Sequence, residues 1–267
     1  MQAMARTLRS ASSPWAWAIA GAVCGALWAL LQWAPASWMQ QAATAASGGR
    51  VVLSESRGTL WHGSAQFGLS GGPGSAGGLR LPGRVQWDLR LGLGSLHIAL
   101  QADCCTLQPQ LLELTPGLRS WRLQLAPGES TWPAAVLAGL GTPWNTVQLQ
   151  GPLLLKTPGL KVVSAVDRVH VEGQLSLDMV GLSSSLSTLR PLGSYQLNLQ
   201  GSDQGGATLT LRTLEGSLQL QGAGAWTAGR LHFVGEARAD AAHEAELSNL
   251  LNIMGQRDGA RSVITLG

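Results

Sequence analysis

A reactive site in this 267-residue chain would have to be built from five histidines, three cysteines and a serine set in G-x-S-x-G. The serine match is GLSGG, Gly68 to Gly72, with Ser70 in the nucleophile position. Such an elbow works only when a strand precedes it and a helix follows, because that turn exposes the hydroxyl. Here the chain runs on into PGSAGG, so Ser70 is not expected to be a nucleophile. GPGSAG, Gly72 to Gly77, matches G-x-G-x-x-G, again without a helix to present its N-terminus to a phosphate. His62, His97, His170, His232 and His243 share no metal-ligand spacing with one another or with cysteine. Solvated or capped surface histidines are the expectation. No pair of carboxylates stands in an acid/base setting. No catalytic residue, metal or cofactor is therefore expected, and the chain reads as a non-enzyme.

Two further clusters draw attention. Cys104 and Cys105 are adjacent, and on an ordinary strand their side chains would face opposite ways. A vicinal disulfide, in a compartment outside the cytosol, and two unpaired thiols both remain open readings. Near the end of the chain, Arg257, Asp258 and Arg261 crowd together in a sequence otherwise poor in charge. An anion or partner site is one reading; a structural closure is preferred. In that closure Gly255 stops a helix as a left-handed cap, and Arg257 meets the negative pole of the helix dipole. Asp258-Gly259 then turns the chain, Arg261 pairs with Asp258, and RSVITL resumes as a final strand.

The elements that must position these residues follow from composition and periodicity. Charged residues make up 12% of the chain, about half the usual share. The net charge of +3 comes from scattered arginines and not from a basic run, which argues against nucleic-acid binding. From Ser10 to Gly49 no residue is charged, and WAWAIAGAVCGALWALLQWA, Trp15 to Ala34, has the ~20 residues a membrane crossing needs. Trp15, Trp17, Trp33 and Trp38 stand near its ends, where indole prefers the interface, and Arg6 and Arg9 precede it. The expectation is a cytoplasmic N-terminus over 1–13, a signal-anchor helix with its interface over 14–38, and an exported β-rich domain over 39–267. A cleaved signal peptide ending near APAS is the rival reading; the length of the apolar run favours an anchor. Gly21 and Gly25 form a G-x-x-x-G that permits close helix packing inside the span.

Beyond the anchor, apolar and polar residues alternate with period two. In SYQLNLQ, Tyr195, Leu197 and Leu199 share one face and Gln196, Asn198 and Gln200 the other. VHVEGQLSLDM, EGSLQLQ, RSWRLQLA and GRVQWDLRL repeat the pattern, as antiparallel strands with one wet face do. Two helical segments interrupt it, Trp132 to Gly141 and Asp240 to Gly255, the second capped by Asp240. Ser70 to Gly78, SGGPGSAGG, reads as a flexible loop. The fold class is thus mainly β: a single N-terminal transmembrane helix, then a curved, mostly antiparallel one-sided sheet with two short helices. Two helices are little cover for so many strands, so the apolar face must fold on itself, meet a partner or hold lipid.

Three stretches taken together carry a resemblance: GRVVLSESRGTLWHGSAQFGL (49–69), PAAVLAGLGTPWNTVQLQGPLLL (133–155) and the terminal LSNLLNIMGQRDGARSVITLG. In this order, behind one apolar N-terminal segment, they resemble the type II secretion system protein N (general secretion pathway protein N) family. The terminal block and G-T-L-W-x-G are its most specific parts. The resemblance implies a single-pass inner-membrane protein of Gram-negative bacteria with its main domain in the periplasm. It further implies an accessory role in exporting folded proteins, without enzymatic activity, beside the inner-membrane proteins C, L and M and the secretin. A looser similarity is to AsmA-like proteins, whose curved sheets form lipid-holding grooves. It suggests a periplasmic lipid-binding or lipid-transfer module as the alternative.

Overall fold

Period-two alternation becomes one open antiparallel sheet of seventeen strands in the computed structural model, which describes residues 15–70, 78–140, 144–165, 168–202, 205–227 and 230–266. Ahead of the sheet stand two helices, α1 (Trp15–Gln32) and α2 (Ser37–Ala46). Among the described residues no helix is long and apolar enough to cross a membrane. The segment expected to span over 14–38 is divided: α1 has 18 residues, and Trp38 belongs to α2. Pro35 supplies the physical reason, since it lacks an N–H and biases the residue before it away from helix. It forms an isolated β-bridge with Thr59 instead.

The strands follow in chain order. β1 (Val51–Gly58), β2 (His62–Ser70), β3 (Gly78–Arg80), β4 (Val85–Leu91), β5 (Leu96–Ala102) and β6 (Gln110–Pro116) make the first half with β7 (Ser120–Leu125) and β8 (Gly128–Pro133). A 3₁₀ segment (Ala134–Leu140), helix α3 (Trp144–Val147) and the short β9 (Leu149–Gln150) lead into the long strands β10 (Pro152–Ala165) and β11 (Arg168–Ser184). β12 (Gly193–Gly201), β13 (Ala207–Gly216), β14 (Leu218–Thr227) and β15 (Arg230–Ala239) continue the meander. Helix α4 (Glu244–Met254), β16 (Gln256–Asp258) and β17 (Arg261–Leu266) complete it. Each strand pairs with a near neighbour in sequence, always antiparallel, and β7 and β8 lie end to end along one edge of β10. β1 stands at one edge of the sheet and β16 at the other.

The register aligns the apolar rows that the alternation implied. Leu155, Leu177, Leu197 and Leu211 stand side by side across β10 to β13. Leu89, Ile98, Leu112, Leu125 and Leu160 do so across β4 to β10. The opposite face carries Asp178, Gln196 and Arg212, where Gln196 donates to Asp178 at 2.7 Å and Arg212 to Gln196 at 2.6 Å. Cover is local. Leu247, Leu250 and Leu251 of α4 bury Leu192, Leu218 and Ala237. Ala134 at the start of the 3₁₀ segment packs with Leu153, Leu182 and Tyr195. Ala36, just ahead of α2, joins Leu53, Ala65, Trp87 and Leu89, with Met39 and Ala43 of α2 packed against them. Between these clusters Leu112, Leu123, Leu125, Leu160 and Val162 stay half-buried.

Both expected helices are shorter than their sequence patterns. Trp132 and Pro133 end β8, and the chain winds as 3₁₀ only from Ala134; Gly141 lies outside the described residues. α4 starts at Glu244, so Asp240 does not cap it; its carboxylate instead receives the His243 N–H at 2.9 Å, closing the turn before the helix. The expected loop at 70–78 keeps only its ends in view, since residues 71–77 lie outside the described residues, and the GPGSAG match with them.

Candidate functional site

The residues able to do chemistry are dispersed over the sheet. Ser70 is the last residue of β2, with its N–H bonded to the Arg50 carbonyl at 2.8 Å, and the glycines after it are not described. His62 lies 3.1 Å from Asp88, His170 3.4 Å from Glu172, and His243 2.7 Å from Asp240, each at a partly or fully exposed position. His97 meets Ser95 at 3.2 Å, and His232 is exposed on β15. Among the described residues no three metal-ligating side chains gather. The Arg90 hydrogen bond to Asp88 holds that carboxyl below its ordinary range, aided by the charges of Arg90 and His62. Lys161 does the same for Glu172, and Arg238 for Glu236. An open, mostly apolar cleft of about 900 Å³ is lined by Leu111, Leu112, Leu125 and Pro127 with Asp88, Arg90, His97, Glu113 and Gln124 along it. Tyr195 is buried and donates to the Leu218 carbonyl at 2.9 Å; burial raises its phenol well above the ordinary value.

Cys104 and Cys105 are joined as a vicinal disulfide in the β5–β6 loop. The loop is further held by Thr106, whose hydroxyl accepts the Ala102 N–H at 2.8 Å, and by the Thr131 N–H, which donates to the Cys105 carbonyl at 2.8 Å. Cys24 is a free thiol exposed on α1. Gly21 and Gly25 lie on the same helix with open space where a side chain would project. Among the described residues, then, nothing packs against that small-residue face.

The most elaborate arrangement is the G-T-L-W-x-G element, Gly58 to Gly63, which grips the chain where it leaves α1. The Leu60 N–H donates to the Ala34 carbonyl at 2.7 Å, and the Ala36 N–H to the Gly58 carbonyl at 3.2 Å. The Trp61 indole donates to the Leu31 carbonyl at 2.7 Å, on the last turn of α1. Trp87, from β4, supports the grip from below by donating to the Leu60 carbonyl at 3.0 Å. Both glycines are required by shape. Gly58 has φ +88, and a Cβ at Gly63 would stand 2.5 Å from the Trp87 ring. Sequence reasoning singled out this motif without seeing its role, because Ala34 and Trp87 are distant in the chain. It missed Arg84 as well, a half-buried residue on the same edge. Its guanidinium donates to the Glu55 carbonyl at 2.6 Å, beside a bulge in β1, and to the Ser64 carbonyl at 3.1 Å.

The terminal cluster is a hairpin laid beside α4. Arg261 donates to Asp258 through Nε at 2.9 Å and Nη2 at 2.7 Å. The two residues face each other across the turn Gly259-Ala260, with Gly259 at φ +64; the turn therefore lies one residue beyond the expected Asp258-Gly259. Gly255 is not the left-handed cap expected of it. Its backbone is extended, at φ −174 and ψ −169, and the site needs glycine because a Cβ would collide with the Val263 carbonyl. Arg257 meets the last turn of α4 only through the Asn252 side chain, at 3.4 Å, and not through its carbonyls. It reaches back along the helix, to the Ser248 carbonyl at 3.3 Å and toward Glu244 at 3.7 Å. β17 pairs with β15, which makes this the closing strand of the sheet.

A family model for type II secretion system (T2SS) protein N matches residues 49–264. The chain belongs to this family. The match begins just ahead of β1 and ends within β17, so it covers the sheet, the G-T-L-W-x-G grip and the terminal hairpin, and leaves α1 and α2 outside. Membership makes the chain an accessory component of type II secretion, a role in protein transport that works beside other components of that system. No curated protein and no solved structure matches the chain.

Proposed function

We propose that this protein N family member is a single-pass inner-membrane subunit whose sheet stands in the periplasm. It supports the export of folded proteins across the outer membrane by protein–protein contact. The observation that carries the reading is the family match over nearly all of an open sheet, on which, among the described residues, the ionisable side chains are spread out and not gathered into one site. Support for the anchor comes from α1 itself. Trp15, Trp17, Ile19, Trp28, Leu30 and Trp33 are all exposed, an arrangement costly in water and favourable in lipid. With the uncharged residues from Ser10 onward, the apolar stretch reaches the ~20 residues that a bilayer requires. Proteins C, L and M and the secretin are its proposed neighbours.

The lipid-binding alternative gains no support from the comparisons. The test is deletion of the gene with site-specific crosslinking of the anchored chain in its own envelope. Loss of export, together with crosslinks to inner-membrane secretion components, is the expected result. Normal export with no such crosslink would overturn the proposal.

A further inference from the structure

We infer that the β4–β5 and β6–β7 hairpin tips rest on the anionic headgroups of the membrane in which α1 is anchored, so that the sheet is held at the bilayer by three contacts and not one. The inference depends on the anchor reading given above.

The strand registers place both tips at one end of the sheet. His62 stands opposite Asp88, Leu91 opposite Leu96, Leu96 opposite Leu114, and Pro116 opposite Trp121. That is also the end where α1 is gripped. Trp28 and Gln32 of α1 share an open cleft of about 330 Å³ with Leu89 and Leu91 of β4. Leu93 and Leu118, at the very tips, are 108% and 106% exposed, and Leu91 beside them 67%. A lone exposed leucine is ordinary on any protein surface, so exposure by itself decides nothing. What sets these two apart is their company.

Arg119 and Arg122 stand exposed in the β6–β7 hairpin, and the two tips, 89–97 and 115–122, contain no carboxylate; Glu172 on β11 is the acid that feels the charge of Arg122. Asp88, the nearest acid on β4, is already bonded to Arg90 at 2.8 Å. Trp121 is 42% exposed on β7 and Trp33 82% at the α1 exit, and indole favours the headgroup region. The opposite end of the sheet provides the contrast. Leu107 is 99% exposed there, but its loop, 103–109, has Asp103 and no lysine or arginine. Leucine with arginine suits an anionic bilayer surface; leucine with aspartate does not.

The experiment uses the full chain in vesicles of phosphatidylcholine with phosphatidylglycerol. An environment-sensitive fluorophore is attached in turn to native Cys24 and, in a Cys24→Ser background, to Leu93→Cys, Leu118→Cys and Leu214→Cys. Leu214 is 51% exposed on β13, toward the opposite end, and serves as the control. Headgroup-nitroxide lipid is expected to quench the two tip labels several-fold more than the Leu214 label, and removing phosphatidylglycerol to weaken that quenching. Acyl-chain nitroxide lipid reports on Cys24. Quenched Cys24 with tips no more quenched than Leu214 would overturn the tip contact and leave the anchor standing. Unquenched Cys24 with quenched tips would remove the anchor and, with it, the three-contact attachment, leaving only a tip contact; quenching at neither would remove both. Arg119→Glu with Arg122→Glu should reduce tip quenching while Cys24 is unaffected; unchanged tip quenching would overturn the anionic attraction.

Discussion

Gly63 has no side chain, yet it decides whether the Trp87 ring can lie under the β1–β2 turn and hold the Leu60 carbonyl. Gly63→Val would drive a branched side chain into that ring. A loss of about 1–3 kcal/mol is expected, read from the urea midpoint of the purified chain; an unchanged midpoint would show that the ring can move aside. In the terminal hairpin two neighbours separate structure from charge. Gly259→Val forces a branched residue into φ +64 and should cost about 1–2 kcal/mol. Arg257→Ala removes exposed contacts and should cost less than about 1 kcal/mol. A reversed order of folded yields would point to an arginine kept for function. The nature of these residues was legible in the sequence, but their geometry was only partly so. The pattern around Gly255 suggests a left-handed cap, whereas its constraint is the Val263 carbonyl, eight residues away in sequence and adjacent in space. Local patterns do not report approaches of that kind.

Helix α4 and the turn before it form the lid on one end of the sheet. Leu247, Leu250 and Leu251 were legible from their helical spacing, since a stripe at that period must face a core. The start of the helix was not, because Asp240 found a different partner. His243, through its ring and N–H, holds the Asp240 carboxyl below its ordinary range. A carboxyl depressed in the folded state contributes stability at pH values above its unfolded pKa and loses it as the pH falls through the folded one. Asp88, Glu172 and Glu236 are shifted in the same direction. The urea midpoint should therefore fall as the pH drops below about 4, and Asp240→Asn should make that fall shallower. Identical pH profiles for the two proteins would remove Asp240 from the account.

The whole molecule is a meander with several small cores in place of one large one. Its pairings run mainly between sequence neighbours, and β10 and β11, with 14 and 17 residues, are the long strands at its centre. Protection should be graded to match. Amide exchange is expected to be slowest in β10 to β13, paired on both sides, and fastest in the three-residue edge strand β16. Uniform protection along the chain would mean that the clusters fold as one unit.

By itself the sequence determined the alternating, one-sided character of the sheet, several of its strands and the family, because alternation and short motifs act over a few residues. Only the tertiary structure decided where α1 ends, which cysteines meet, which carboxylate each histidine takes, and which apolar rows receive a lid. Those outcomes depend on groups far apart in the chain: Leu31 with Trp61, Leu60 with Trp87, Val147 with α4. A sheet's period says which side is apolar; it does not say what will cover it.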